Sequence, residues 1–239
     1  MEVILVPGLW LDASSWHDVG DRLAAAGHTP RALTLRGLSS RTADRTGMML
    51  ADHVAEIVGA IDRATGPITV VGHAEACGLV HAAVNRRPDR VARAVHVGGF
   101  PSADGTCVLT GCAPAAHAGA RFDDAGLAAL HERAEENGTR GVDSLQRLTD
   151  DRRFDVPVTL VATEFRVRDV ERWMQADIDP ARELRRIRSV DLVDLPSGRW
   201  PQIERGEPLA RLLLDVLPAP AVPPATAVPR ATAAAASPA

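Results

Sequence analysis

The sequence predicts an α/β protein with a mostly parallel central sheet and helices on both faces of that sheet. Short, apolar, β-branched runs alternate with longer segments whose apolar residues recur about every 3.6 positions. The repeated order strand, helix, strand is typical of a parallel sheet, because each crossover needs a long connection that is usually a helix. A chain of 239 residues is long enough for one domain with a sizeable core.

The predicted elements follow one another in a regular order. The strands are the apolar runs at 3–6, 32–35, 68–71, 91–97, 158–162 and 190–195. The helices are the periodic segments at about 14–26, 49–64, 75–85 and 207–217, with one or two Arg-rich helices between the last two strands. Gly27 is a suitable C-terminal cap for the first helix. Pro88 ends the third helical unit.

The regular alternation is interrupted once and ends before the C-terminus. Residues 101–155 contain no strand-like run but two helical segments, at about 123–137 and 142–148. An insertion of this kind predicts a helical cap above the strand ends. From 218 to 239 the chain consists mainly of Pro, Ala, Val and Thr, a composition that predicts a disordered tail. We therefore expect a single domain over 1–217.

The composition excludes several classes of function. The net charge of -4 gives no electrostatic reason to expect nucleic acid or a membrane as partner. All 27 basic residues are Arg, so Schiff-base, pyridoxal-phosphate and P-loop lysines are excluded. Three cysteines without a C-x-x-C pair favour neither a disulfide framework nor a zinc site. The short apolar run at the start is too short for a signal peptide. We expect a cytoplasmic protein without metal or cofactor that binds a small molecule, and a homo-oligomer is compatible with this.

The most informative segment is TVVGHAEACGL at 69–79, which combines a strand, a sharp turn and a helix. A nucleophile elbow needs small residues two positions before and after the nucleophile, because the turn is strained. Gly72 and Ala76 are those small residues. The residue between them is Ala74, and a methyl group cannot attack a carbonyl.

With this motif the chain resembles the α/β-hydrolase superfamily, especially its small bacterial esterase-like members, from Met1 to about Leu217. Four further segments match the family in order. VPGLW resembles the oxyanion loop, with Trp16 at a common aromatic position. RPDRV and DVPV resemble the entries to two strands, and LPSGRWP resembles the loop of the catalytic His; these segments are 6–10, 87–91, 155–158 and 195–201.

The resemblance implies a catalytic triad that is lost at several positions. Ala74 replaces the nucleophile, and Arg199 stands where the family has His. Gly98 stands at one of the two usual positions of the acid, while Glu164 is available at the other. Removing a triad member costs on the order of 10⁴ to 10⁶ in rate. Serine-type hydrolysis is therefore disfavoured, and an Asp-nucleophile mechanism fails at Ala74 as well.

Three residues are candidates for catalysis in the altered site. Glu75 follows the elbow and is either a general base or the cap of the helix, and we favour the cap. Arg199 remains protonated and cannot be a general base, but it can bind an anion or pair with Glu75 or Glu164. His96 has a side chain suited to acid–base chemistry, although core packing is the favoured interpretation.

Further residues are candidates for substrate binding. The backbone amides of Leu9 or Trp10, together with that of Glu75, form the oxyanion site that the resemblance implies, and such a site can bind an enolate or phenolate. Glu164 lies at the second acid position. The remaining candidates are His73, Phe100 and Trp200. For His73, which is typical of the family at this position, a structural role is favoured over substrate binding. For the two aromatic residues, core packing and substrate binding are equally favoured. Cys77 is three positions beyond the elbow and should point elsewhere.

Three functions remain open. The first is a non-hydrolytic enzyme that acts on a small aromatic or polyketide-type intermediate by cofactor-free C–C bond formation, cyclisation, rearrangement or oxygenation. The second is a catalytically dead homologue that binds a small molecule or a partner. The third is a hydrolase that uses an activated water. An open cavity reached by Glu75, His96 and Arg199 would favour the first over the second.

Overall fold

Six strands form one parallel sheet in the part of the chain that the structure describes. This computed structural model describes residues 1–8, 11–39, 42–44, 46–106, 145–178 and 180–217. The sheet order is β2-β1-β3-β4-β5-β6, and all neighbouring strands are parallel. The strands are β1 (Glu2–Val6), β2 (Thr29–Ala32), β3 (Ile68–His73), β4 (Val91–Val97), β5 (Val158–Ala162) and β6 (Val190–Asp194). The predicted fold class is confirmed.

Helices cover both faces of this sheet. The first and last long helices pack together on one face, and the two central ones pack together on the other. The helices in the described residues are α1 (His17–Ala25), α2 (Leu50–Arg63), α3 (Ala76–Arg86), α4 (Val167–Gln175), α5 (Pro201–Glu204) and α6 (Gly206–Val216). Short 3₁₀ segments lie at Ala13–Trp16, Pro88–Arg90, Asp151–Asp155 and Glu183–Arg186.

The continuous apolar runs of the sequence reflect burial on both sheet faces. Along β1, Ile4 and Val6 belong to one core cluster, whereas Val3 and Leu5 belong to the other. Every residue of β3 is buried. A parallel strand covered by helices on both sides has no solvent face, so its sequence shows no polar alternation. This is why periodicity located the strands well.

Two predicted boundaries are wrong. The second strand was expected at 32–35, but β2 begins three residues earlier because it pairs with β1 from Glu2–Thr29 to Leu5–Ala32. Pro30 is tolerated there since β2 lies at the sheet edge. Residues 145–148, the end of a predicted helix, are not helical.

The predicted cap and tail fall mainly on 107–144 and 218–239, which lie outside the described residues. The cap, its helix at 123–137, the tail and the single domain over 1–217 therefore stay predictions. Among the described helices, none has the length and apolar character needed to cross a membrane.

The turn between β3 and α3 has the tight geometry that the motif predicts. Ala74 has a φ of 50°, in the left-handed region that residues with a side chain rarely adopt. A Cβ on Gly72 would lie 2.9 Å from Val80 Cγ2 and 3.0 Å from the Ala76 carbonyl oxygen. A Cβ on Gly99 would overlap the Ala74 carbonyl oxygen. Glycine is thus required on both sides of the turn by close approach.

We expect Gly99→Ala to lower the free energy of unfolding by about 1–3 kcal/mol, because its Cβ forces the elbow backbone to move. Chemical denaturation measures this difference. Gly66→Ala is the matched control, since a Cβ there meets no atom within 4 Å in the described structure. Equal stability of the two variants would contradict the tight packing of the elbow.

Candidate active site

An ion pair lies at the turn between β3 and α3. Glu75, the residue after Ala74, accepts a hydrogen bond at Oε1 from Arg199 Nη2 at 3.1 Å. Glu75 is 2% exposed. The favoured prediction that Glu75 caps the helix is wrong: it occupies the N-cap position of α3, but its side chain makes no capping hydrogen bond. Its carboxylate instead faces the guanidinium, which offers a charged donor.

The second oxygen of this carboxylate lies close to the backbone that follows β1. Glu75 Oε2 is buried and has no hydrogen-bond partner among the described residues. A Cβ on Gly8 would lie only 3.5 Å from this oxygen, so the backbone after β1 passes close to it. A buried carboxylate oxygen without a donor is costly unless a ligand or water satisfies it. The elbow therefore presents one strong hydrogen-bond acceptor.

The backbone around Arg199 is fixed by contacts on both sides of the residue. The amides of Gly198 and Trp200 donate to the Glu204 carboxylate at 2.7 and 3.2 Å. His73 Nε2 donates to the Arg199 carbonyl oxygen at 2.8 Å. Charge-assisted hydrogen bonds to backbone amides are among the stronger ones in proteins. The backbone from which the Arg199 side chain extends is thus held in a defined position.

His73 links the elbow to this loop rather than facing a substrate. Its Nε2 is the donor to Arg199, so Nδ1 is the acceptor for Gln202 Nε2 at 3.3 Å. Burial lowers the pKa of His73, against the opposing effects of the Arg199 carbonyl and the charge of Glu75. The ring is neutral, and both of its nitrogens are already engaged.

Among the described residues, three carboxylates lie around the Arg199 loop, namely those of Glu75, Glu164 and Glu204. Glu164, exposed just after β5, interacts electrostatically with Arg199, Glu204 and Glu75. Loss of water raises the pKa of Glu164 above its usual value; Arg199 opposes this increase, and Glu204 and Glu75 add to it. Glu164 therefore interacts with the charges of the ion pair, and its part in substrate binding stays a prediction.

The structure places His96 in the core beneath α3. The residue is fully buried, and its ring centre is 6.4 Å from that of His81. Neither ring nitrogen has a partner within the described chain. Burial lowers the pKa of His96 to about 3, and the charge of His81 adds to the effect. His81 itself contacts Glu183 at 3.1 Å. No hydrogen bond or ring contact joins His96 to Glu75 or Arg199 in that part of the chain.

The other predicted site residues differ in their surroundings. Gly98 has a φ of 65°, and a Cβ there would lie 2.8 Å from Thr163 Oγ1, so an acid side chain would be strained. Phe100 is buried and stacks on Phe165 at 5.1 Å. Trp200 is also buried. These two aromatic side chains pack within the protein.

Cys77 and the oxyanion loop complete the predicted set. The Cys77 thiol donates to the Gly72 carbonyl oxygen at 3.3 Å, and burial raises its pKa. It is therefore a buried thiol rather than a nucleophile. Leu9 and Trp10 lie outside the described residues, so their part in an oxyanion site stays a prediction.

Sequence reasoning missed Glu204 and Gln202, which hold the Arg199 loop and His73. The sequence offered one signal for the role of Glu204, namely its position as an acidic residue in the first turn of a short helix that begins with Pro201. Such an acid often binds nearby backbone amides. The partners of Gln202, however, depend on a contact with His73 that lies 129 residues away in sequence.

The two grooves that the structure describes lie elsewhere than the predicted open cavity at Glu75, His96 and Arg199, so that cavity stays a prediction. One groove of about 480 Å³ lies beside α2, and another of about 210 Å³ lies between α2, α3 and residues 145–147. Neither is lined by Glu75, His96 or Arg199. Within the described ranges, no group of three or more His, Cys, Asp or Glu side chains is arranged to hold a metal ion.

Comparison with known proteins gives a clear answer for the fold. No protein-family model matches the chain, and no curated protein does. Among solved structures, pyrethroid hydrolase PytH matches with 19% identity and a TM-score of 0.67, over 90% of this chain and 96% of that chain. An extracellular α/β-hydrolase from a Paenibacillus species, with homology to tobacco salicylic acid binding protein 2, matches with 14% identity and a TM-score of 0.67, over 90% and 98%.

A third similar structure is a variant of tomato methylketone synthase I in complex with β-ketoheptanoate. It has 14% identity and a TM-score of 0.65, and the match covers 90% of this chain and 96% of that chain. The cytoplasmic location expected from the sequence stays a prediction. The parallel six-stranded sheet, the elbow at Ala74 and these likenesses together show that the chain has the α/β-hydrolase fold.

Proposed function

We propose that this protein is a non-hydrolytic enzyme that acts on a small, enolisable substrate of aromatic or polyketide type without a cofactor. The observation that carries the proposal is the buried Glu75 carboxylate, whose Oε2 has no partner in the described structure, beside the alanine that replaces the nucleophile. Such a site has a base and a fixed cation but no group that can form a covalent acyl intermediate. The chemistry that suits it is proton abstraction next to a carbonyl.

The proposed reaction starts with a proton transfer. Glu75 Oε2 takes a proton from an acidic C–H or O–H of the substrate, and the electron pair moves onto the substrate oxygen. Arg199 stabilises the developing oxyanion, and the backbone amide of Glu75 adds a hydrogen-bond donor. A positioned general base contributes on the order of 10² to 10⁴ in rate. The resulting enolate or phenolate can then form a C–C bond with an electrophilic carbonyl, cyclise, rearrange, or react with molecular oxygen as the oxidant. The proton on Glu75 Oε2 returns to the product or to water.

Hydrolysis through the family mechanism does not fit these side chains. Ala74 has no nucleophilic atom, and Arg199 cannot accept a proton at neutral pH. His73 is neutral, but its Nδ1 accepts a hydrogen bond from Gln202 and its Nε2 donates to a carbonyl. A water activated by Glu75 is the remaining hydrolytic route, and it is distinguished by the ester assay below.

One similar structure supports an enolisable substrate. The tomato methylketone synthase variant holds β-ketoheptanoate, a β-keto acid, within this fold. The fold therefore accommodates a molecule with two carbonyl groups separated by one carbon. We extend only the enolisable 1,3-dicarbonyl arrangement, and not the free carboxylate, to the present chain, because Glu75 and Arg199 offer a base and a cation to such a group.

A second candidate function is the binding of a small molecule or partner without chemistry. The observation in its favour is the burial of Glu75 together with its ion pair to Arg199, since a base that is 2% exposed must be reached by its substrate. The two functions differ in one measurable respect. Only the enzyme exchanges a substrate proton with solvent.

The first test is deuterium exchange into the activated carbon of small 1,3-diketones and resorcinol-type phenols, followed by NMR. We expect Glu75→Gln to lower the protein-dependent exchange rate by about 10² to 10⁴, because the base is removed. Arg199→Ala should also lower it, because the oxyanion loses its cation. Glu207→Gln is the charge-matched control on the exposed surface of α6, where this residue pairs with Arg211. Full exchange by both site variants would reject the proposed site.

A second test concerns ester hydrolysis. We expect the protein to show no turnover of p-nitrophenyl esters above the buffer rate and no labelling by a serine-directed phosphonate. Ala74→Ser should remain close to this background, because Arg199 cannot act as the general base for the new serine. Circular dichroism checks that the variant is folded. Strong ester turnover by the native protein would contradict a non-hydrolytic function.

A further inference from the structure

The Glu75–Arg199 pair offers a ligand one acceptor and one donor edge. Glu75 Oε2 is the acceptor, and it has no partner in the described part of the chain. Arg199 uses Nη2 for Glu75, and no described residue binds its Nε or Nη1. The side chain of Arg199 is 21% exposed. The matching ligand group has an acidic hydrogen and a carbonyl oxygen a short distance apart, as the enol of a 1,3-dicarbonyl does.

The charges around this pair determine which form of the ligand is accepted. Glu75 already neutralises Arg199, while Glu164 and Glu204 add two further carboxylates. Glu164 follows the carboxyl end of β5 at the same sheet edge as the elbow after β3, and the charges of Glu204 and Glu75 oppose its ionisation. Only backbone amides bind the Glu204 carboxylate in the contacts described for the loop. An added anion would thus meet an excess of negative charge.

We infer that this site takes its 1,3-dicarbonyl substrate as a neutral molecule and discriminates against the corresponding carboxylates. The inference rests on the proposed function and makes its substrate class narrower. Glu164 is then a specificity-determining residue, since like charge placed near an entering ligand opposes binding of the wrong partner. Arg199 stabilises the enolate that forms on the protein. Because Arg199 is paired with Glu75, the pair has no net positive charge that would attract a ligand arriving as an anion.

The test compares two probes of similar size by isothermal titration calorimetry with the full-length protein. Acetylacetone is a neutral 1,3-dicarbonyl at neutral pH, whereas acetoacetate is an anion. We expect acetylacetone to bind about tenfold more tightly at low ionic strength, and this difference should shrink as salt is added. Glu164→Gln should increase acetoacetate affinity several-fold and so reduce the preference for acetylacetone. Glu207→Gln, which removes a distant carboxylate, should change neither affinity.

The outcomes separate this inference from the proposed function. Equal or tighter binding of acetoacetate, or no binding of either probe, would overturn the inference. The same holds if Glu164→Gln leaves the acetoacetate affinity unchanged. Acetylacetone that binds with the expected preference but exchanges no deuterium would overturn the proposed enzyme while the selectivity stands. Deuterium exchange together with equal affinity for both probes would overturn the selectivity, while the proposed enzyme stands.

Discussion

The strained turn at Ala74 is the constraint on which the site depends. A residue with a side chain in the left-handed region costs about 1–2 kcal/mol, and the close approach of Gly72 and Gly99 leaves the backbone no other path. The turn places Glu75 at the start of α3, directly against the backbone after β1. A strained elbow is retained although its nucleophile is absent. The geometry of the turn therefore still determines where Glu75 lies.

The ion pair at this turn is a fixed pair of charges. A buried carboxylate and guanidinium lose hydration, and their attraction offsets this loss only when the geometry is good. Here Glu204 and His73 hold the Arg199 backbone before the side chain forms its bond. Less conformational entropy is then lost when the pair forms. Removing one partner would leave the other as an uncompensated buried charge.

An arginine at position 199 limits what the site can do with a proton. A histidine can accept and return a proton near neutral pH, whereas an arginine only provides positive charge. The one base left at the elbow is the Glu75 carboxylate. Arg199 Nη2 lies 3.1 Å from this carboxylate, and its side chain is 21% exposed. In the proposed reaction, this guanidinium stabilises the negative charge that moves onto the substrate oxygen.

The sequence by itself determined the sheet, most of its helices and the altered elbow. Strands buried on both faces have continuous apolar runs, and the elbow needs small residues at fixed spacing, so local pattern was sufficient for both. The position of β2 was different, because an edge strand is located by its pairing with β1 and not by its own composition. Sequence motifs also brought Glu75, Arg199 and Glu164 together as candidates.

Only the tertiary structure decided what these side chains do. Glu75 bonds Arg199 and does not cap α3, because a guanidinium 124 residues away in sequence is its nearest charged donor. His96 follows the same β4 strand pattern as its apolar neighbours, and its burial beside His81 depends on how α3 lies on the sheet. The support from Glu204 and the link from His73 to Arg199 likewise arise between distant segments. Hydrogen bonds and burial between segments are properties of packing, which no local pattern encodes.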